Sequence, residues 1–315
     1  MVIIGSNIKK RRYELRMSQQ ELADKMGYKS RSTIAKIESG ENDVSHKKLQ
    51  KFAAVLDTTV EELVLGYTSP EHSVLQQKSA AKVFKKNRNV AIILAGGKSS
   101  RNMQNIPNQF IDVHGKPIIV YCMEAYESHP AIDDIYVVCL KGWESIVTAY
   151  AERYKITKLK GLIAGGASGI LSLKNAIDTI KNNCKDDDVI IIQEATRPLV
   201  TTETVSKLLL NCDEISGAVI CHEMNDYVQF DVSGSKPKYI ERESVVAMQS
   251  PEAHRMKILK NVFKKAERLQ HPLTESCCTM LLYNLGFKVN FVQSSVNNIK
   301  IMHEEDIATF EALVK

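Results

Sequence analysis

Between Leu94 and Arg101 the chain reads Leu-Ala-Gly-Gly-Lys-Ser-Ser-Arg. Gly96 and Gly97 have no side chain, so their backbone N–H groups can approach a phosphate closely. Lys98 and Arg101 add positive charge beside them, and an arginine there can stabilise negative charge developing on phosphate oxygens. Pro107-Asn-Gln-Phe110 and Gly115-Lys-Pro-Ile118 follow. Further along stand Gly165-Gly166 with Ser172, Glu194-Ala-Thr-Arg-Pro198, Arg242, Gln249-Ser-Pro251, Thr274-Glu275 and Asn298-Ile-Lys-Ile301. Taken singly, several of these have ordinary readings. Lys300 between two isoleucines suits an edge strand, Glu194 a helix cap, and Arg197 a loop brace. Arg242 between Glu241 and Glu243 suits a solvated ion pair.

The glycine loop needs an element to aim it. Val-Ala-Ile-Ile-Leu-Ala (90–95) is an apolar run ending in small residues, as in a buried parallel strand that turns into a phosphate loop. Similar runs recur at 135–140, 188–195, 217–222 and 288–293, with helical stretches between. Strands alternating with helices predict a mostly parallel sheet covered on both faces, with ligands beyond the carboxyl ends of the strands.

The first part of the chain has another texture. Ile8, Leu15, Leu22, Met26, Ile34, Ile37, Leu49, Phe52, Leu56 and Leu63 recur at helical spacing over residues 6–65. Ser18-Gln-Gln-Glu21 has capping-box form and predicts a helix start, which Gly27 ends. A third helix is predicted from about Ser30 to Glu38, stopping at Ser39-Gly40. Ser45 and Thr59 can cap a fourth helix and a short fifth. Gly66, Thr68, Ser69 and Pro70 then break the regularity. The predicted organisation is a helical domain over 1–66, a linker over 67–88, and an α/β domain over 89–315.

Bulk numbers agree with two globular domains in 315 residues. No run approaches the roughly 18 apolar residues of a membrane span, and no signal peptide opens the chain. Seven cysteines, an odd number with no metal spacing, predict buried thiols in a reducing cytoplasm. Residues 1–90 hold 17 Lys and Arg against 10 Asp and Glu, whereas 91–315 hold 25 against 27. The basic excess sits in the first part of the chain, where a polyanion would be met.

Residues 18–27 and 30–40, with Leu22-Ala23, Thr33-Ile34, Ile37-Glu38 and Gly40, resemble the Cro/phage-repressor helix-turn-helix family. The resemblance covers about residues 6–65 and implies double-stranded DNA as partner. Lys29, Ser30, Arg31, Ser32 and Lys36 would lie at or on a recognition helix, facing base edges. Gln19 and Gln20 would reach phosphate from the preceding helix. A helical protein–protein module on the same scaffold is the other reading of these residues.

The segment from Leu94 looks like the opening of a sugar-phosphate nucleotidyltransferase, and the later marks resemble the cytidylyltransferases acting on methylerythritol 4-phosphate or ribitol 5-phosphate. This resemblance runs from Val90 to Lys315. It implies a Rossmann-like sheet with a β-arm at about 223–245, which in relatives builds a dimer and part of the acceptor site. It implies CTP, Mg²⁺ and a sugar-alcohol phosphate. In family terms Arg101 and Lys300 flank the triphosphate, and Ala95, Gly96, Gly97 and Lys98 form the nucleotide loop. Gly165, Gly166, Ser172 and Ala195 line base and ribose. Glu194 stands near the metal, and Asp226, Tyr227 and Arg242 face the acceptor.

Several positions depart from that family. Asn108 stands where a second catalytic lysine is expected, and Glu194 where the metal aspartate is. Ala167 and Gly169 replace an acidic residue and an arginine, Tyr227 a threonine, and Ser294 a glycine. Lys98 is long enough to restore the charge missing at Asn108. Two functions follow: a cytidylyltransferase carrying its own DNA-binding domain, or a transcription regulator whose transferase-like domain senses CTP or a polyol phosphate. Retention of Arg101, Lys300 and Arg242 puts the first ahead.

Overall fold

The computed structural model describes residues 2–15, 17–28, 30–42, 44, 46–58, 60, 63, 87–98, 106–224 and 228–314. The chain divides into two compact units, Met1–Ser79 and Ala80–Lys315.

The first unit holds α1 (Val2–Glu14), α2 (Gln19–Met26), α3 (Arg31–Glu38) and α4 (His46–Val55). Helix α1 starts ahead of the predicted helical stretch. The capping box at Ser18 is formed in full: its Oγ accepts from Glu21 N at 3.2 Å, and Glu21 Oε2 accepts from Ser18 N at 2.6 Å. Gly27 closes α2 at φ 77°, a left-handed conformation that favours glycine. Ile8, Leu22, Ile34, Ile37, Phe52, Leu56 and Leu63 meet in one buried core. The proposed caps Ser45 and Thr59, and most of the linker, lie outside the described residues.

The second unit is a seven-stranded sheet in the order β11-β7-β10-β6-β1-β4-β5. Its strands are β1 (Asn89–Ala95), β4 (Asp134–Cys139), β5 (Leu159–Ala164), β6 (Val189–Glu194), β7 (Ser216–Glu223), β10 (Val246–Arg255) and β11 (Lys288–Gln293). Every pairing is parallel except those of β10, which runs antiparallel to β6 and β7. Short β2 (Asp112–Val113) and β3 (Lys116–Pro117) form one hairpin, and β8 (Gln229–Asp231) and β9 (Lys238–Ile240) form the arm.

The alternating strand side chains explain why both faces are covered. Ala91, Ile93 and Ala95 point into one core with α5 (Ile118–Glu127), α6 (Glu144–Arg153) and α8 (Thr202–Asn211). Val90 and Ile92 point into the other with α7 (Gly169–Ile180), α9 (Met256–Arg268) and α10 (Cys278–Asn284). Ile111, Ile118, Ile301 and Phe310 of α11 (Glu304–Leu313) form a smaller cluster at the side. After β1 the chain moves outward to β4 and β5, then returns to β6 on the opposite side of β1. That reversal opens a crevice at the carboxyl ends of β1 and β6, where Leu94 and Glu194 are register partners.

His129, between α5 and β4, is buried in this frame. Its Nδ1 accepts from Ala131 N at 3.2 Å, so the Nε2–H donates to Ser206 Oγ at 2.9 Å. Burial, with Lys158 nearby, pushes its pKa down to about 4. The unfolded chain takes up this proton near its ordinary value, so the contribution is complete above that value and is lost as pH falls toward the folded one. We expect wild type to lose about 2 kcal/mol more than His129→Gln between pH 7.5 and pH 5. Denaturant midpoints at the two pH values test this, and parallel losses in both proteins would refute it.

Candidate active site

A cavity of about 850 Å³ lies in the crevice at the ends of β1 and β6. Gly96, Gly97 and Lys98 form one wall, and Gly166, Ser168, Gly169 and Ser172 form another. Two glycine loops meet here. A Cβ on Gly96 would sit 3.4 Å from Gly165 Cα, and one on Gly166 would sit 2.8 Å from the Leu171 backbone. The first distance is a close contact between the two loops, whereas a side chain on Gly166 would force the second loop away from the start of α7. Ser172 Oγ accepts from Gly166 N at 2.9 Å, so its hydroxyl holds the second loop onto the start of α7.

Gln109 fixes the first loop. It is buried, and its Nε2 donates to Ala95 O and Gly97 O, both at 2.9 Å. Asn108 beside it is also buried, and its Nδ2 donates to Ile301 O at 3.3 Å and Met302 O at 3.2 Å. Both side chains of the Pro-Asn-Gln-Phe element therefore brace backbone. The role of Gln109 was not among the sequence expectations; the available signal was its place in the Pro107-Asn-Gln-Phe110 element.

Glu194 is the electrostatic centre. Lys300 Nζ donates to its Oε1 in a short ion pair, and Arg197 Nε donates to its Oε2 at 3.0 Å. Ser250 Oγ lies 3.1 Å from Glu194 N as acceptor. Burial pushes the Glu194 carboxyl up, but Lys300 and Arg197 pull it down, and the net result lies below the ordinary value. Arg197 Nη1 also donates to Asn298 O at 2.7 Å. Asn298 Nδ2 in turn reaches Gln249 Oε1 at 3.0 Å and Ser250 O at 2.8 Å. This lattice ties the loop after β6 to the bulged part of β10, where pairing with β7 slips between Gln249 and Glu252.

Of the residues expected from sequence, Gly96, Gly97, Lys98, Gly166, Ser172, Glu194 and Lys300 surround the one cavity. Ala95, Gly165 and Ala195 stand behind it: Ala195 N donates to Leu94 O at 3.1 Å and Gly165 N to Cys139 O at 3.2 Å. Arg242 lies outside the cavity lining, exposed in a short 3-10 turn after the arm. Arg101, Asp226 and Tyr227 lie outside the described residues.

A second acidic residue, Glu252, reaches the cavity from β10. It is already saturated: Oε1 accepts from Cys278 N at 3.2 Å, and Oε2 from Thr279 Oγ1 and His254 Nε2. Glu252, His254 and Cys278 place three ligand atoms within 4.8 Å of one another, all buried. His254 Nδ1, however, has no hydrogen-bond partner. A metal-ligating imidazole ordinarily donates its other N–H to an acceptor, so this group is a hydrogen-bonded brace for the start of α10. Cys277 lines the cavity with its thiol pushed up to about 11 by burial, which keeps it protonated and unreactive at neutral pH.

In the first unit, Ser30 caps α3 and accepts from Ser32 N at 3.1 Å. Arg31, Ser32 and Lys36 are exposed on that helix, and Lys29 lies outside the described residues. Gln20 is exposed and donates to Asp24 at 2.8 Å. Gln19 is half-buried and donates to Glu38 Oε2 at 2.9 Å. Among the described residues no helix is long and apolar enough to cross a membrane.

The 2-C-methyl-D-erythritol 4-phosphate cytidylyltransferase family profile matches residues 89–315, and a helix-turn-helix profile matches 8–63. A ribitol-5-phosphate cytidylyltransferase of Lacticaseibacillus paracasei is 32% identical over 227 residues, 71% of this chain and 97% of that protein. A 2-C-methyl-D-erythritol 4-phosphate cytidylyltransferase of Clostridium botulinum is 26% identical over 230 residues, covering 73% and 98%. The crystal structure of 4-diphosphocytidyl-2C-methyl-D-erythritol synthase from Anaerococcus prevotii superposes with a TM-score of 0.61 at 20% identity, over 72% of this chain and 98% of that one. These matches, over a Rossmann-like fold whose reversal point carries the glycine loops, establish that the chain belongs to the 2-C-methyl-D-erythritol 4-phosphate cytidylyltransferase family, with a helix-turn-helix DNA-binding domain ahead of the cytidylyltransferase domain.

Proposed function

We propose that this protein transfers CMP from CTP to ribitol 5-phosphate and binds a DNA site through its first 66 residues. The observation that carries the transfer is the clasp of Lys300 and Arg197 on Glu194, at the mouth of two glycine loops. The acceptor is chosen because the ribitol-5-phosphate relatives reach 32% identity, against 26% for a methylerythritol-phosphate relative. An oxygen of the acceptor phosphate attacks the α-phosphorus of CTP. The bond from that phosphorus to the bridging oxygen breaks, and pyrophosphate leaves. The protein's task is positioning and charge neutralisation.

In this reading Gly96, Gly97 and Lys98 hold the phosphates, with Ala95 supporting the loop. Gly166 and Ser172 shape the nucleoside side, with Gly165 and Ala195 behind them. Arg101 and Lys300 carry the catalytic charge, and Asp226, Tyr227 and Arg242 bind the acceptor. The triphosphate draws Lys300 from Glu194, which frees a hard carboxylate oxygen. Glu194 fits Mg²⁺, an ion that takes one or two carboxylates and otherwise phosphate oxygens. The brace at Glu252 does not fit it, since its oxygens are already used and its neighbours are sulfur and nitrogen. When bound, the ion would neutralise triphosphate charge.

The arm residues Val228, Phe230, Val232 and Tyr239 are exposed, which supports a homodimer built there and a palindromic DNA site. CTP and DNA as partners support a cytoplasmic location. One observation favours a regulator that only senses its ligand: the Asn108 amide is spent on Ile301 O and Met302 O. Purified protein with CTP, Mg²⁺ and ribitol 5-phosphate is expected to release pyrophosphate. No release with ribitol 5-phosphate or methylerythritol 4-phosphate, together with ligand-dependent DNA binding, would replace the enzyme reading with the sensor.

A further inference from the structure

Charge in the cavity is closely balanced. Among the described residues its lining has three cations, Lys98, Arg197 and Lys300, and two carboxylates, Glu194 and Glu252. Arg197 and Lys300 are both engaged by Glu194. Glu252 is held by backbone, hydroxyl and imidazole donors. Lys98 is exposed and forms no ion pair among the described residues. Without it, the described lining carries no net charge.

We infer that Lys98 is the cation that selects the triphosphate, gripping the phosphates beyond the one that becomes bonded to the acceptor. The inference rests on the cytidylyltransferase reading and deepens it. Three facts converge. Lys98 follows Gly97 in a loop that Gln109 pins at Ala95 O and Gly97 O, so the flexible side chain starts from a fixed anchor. Asn108, across the same wall, contributes no charge, and its amide donates to the loop carbonyls of Ile301 and Met302. The other two cations must first leave Glu194, whereas Lys98 pairs with no carboxylate among the described residues. A lysine acts on phosphate as a mobile point charge, which suits a position beside bare glycine N–H groups.

The test compares CTP with CMP, which lacks the outer phosphates. Binding of each to the full chain is measured by titration calorimetry with Mg²⁺ present, for wild type, Lys98→Ala and Lys98→Arg. Lys98→Ala is expected to weaken CTP by about tenfold or more, the scale of one charge-assisted hydrogen bond, and to leave CMP within about twofold. Lys98→Arg should keep CTP close to wild type. Unchanged CTP affinity in Lys98→Ala, or an equal loss for CTP and CMP, would overturn the assignment, because a merely structural lysine affects both ligands alike. Wild type that binds no CTP would instead overturn the cytidylyltransferase reading beneath it.

Discussion

Lys300→Ala should lower kcat for pyrophosphate release by about a hundredfold to a thousandfold, the range seen when one preorganised charge-stabilising donor is removed. CTP affinity should fall by much less, because the glycine N–H groups and the remaining cations still hold the ground state. The substitution acts on two partners at once. It removes a cation from the cavity, and it leaves Glu194 with Arg197 alone. Burial already pushes the Glu194 carboxyl up, so losing Lys300 moves it back toward the ordinary value from below. The acid limb of the pH profile should therefore shift to higher pH in Lys300→Ala. Lys300→Arg, which keeps the charge but not its shape, should recover part of kcat. A kcat within twofold of wild type would show that Lys300 only braces the loop.

The largest stability effect is expected in the other unit. Arg12 and Glu38 are paired with side-chain exposures of only 4% and 2%, through Nε–Oε1 at 2.6 Å and Nη2–Oε2 at 3.0 Å. Arg12 Nη1 also donates to Met17 O at 2.7 Å, and Gln19 shares Glu38 Oε2. This network joins α1, the entry to α2, and the end of α3. Glu38→Ala leaves a buried guanidinium without its counter-ion, which costs about 3–5 kcal/mol. A domain of this size has little more than that to lose. Its melting transition should fall by more than about 12 °C and sequence-specific DNA binding should vanish. Turnover of CTP should persist, because the cores of the second unit contain no residue from this one. A melting change of a few degrees would mean that Arg12 finds water or another acceptor once Glu38 is gone. Glu38→Gln, which keeps hydrogen-bonding capacity, should lie between the two.

Much of the architecture was legible because it is written in short-range chemistry. The Ser18–Glu21 box and Gly27 mark the ends of α2 from residues within one turn of each other. The apolar run 90–95 is β1 because both of its faces are buried, so nearly every position is apolar. Two strands of the seven-stranded sheet escaped that reading. Strand β5 is a half-exposed edge with Lys160 and Gly161 inside it. Strand β10 contains Gln249, Ser250, Pro251 and Glu252, and a proline in a run argues against a central strand. It is central nonetheless, because its pairing slips at that proline and turns the polar residues into the cavity.

Residue order along the chain dictated the two domain types, the alternation of strand and helix, and the bare backbone of the glycine loops. Those properties depend on residues adjacent in the chain or one period apart. Tertiary structure alone decided what the charged and amide side chains do. Lys300 meets Glu194 across 106 residues, Asn108 meets Ile301 O across 193, and Gln19 meets Glu38 across 19. Burial makes such pairings obligatory, since a desolvated charge or amide must find a partner, but composition does not name which partner it finds. The glycine loop, and Lys98 as a replacement charge beside it, were therefore visible in the order of residues, while the pairing of Lys300 and Arg197 with Glu194, which sets the balance of charge around them, emerged only from the folded chain.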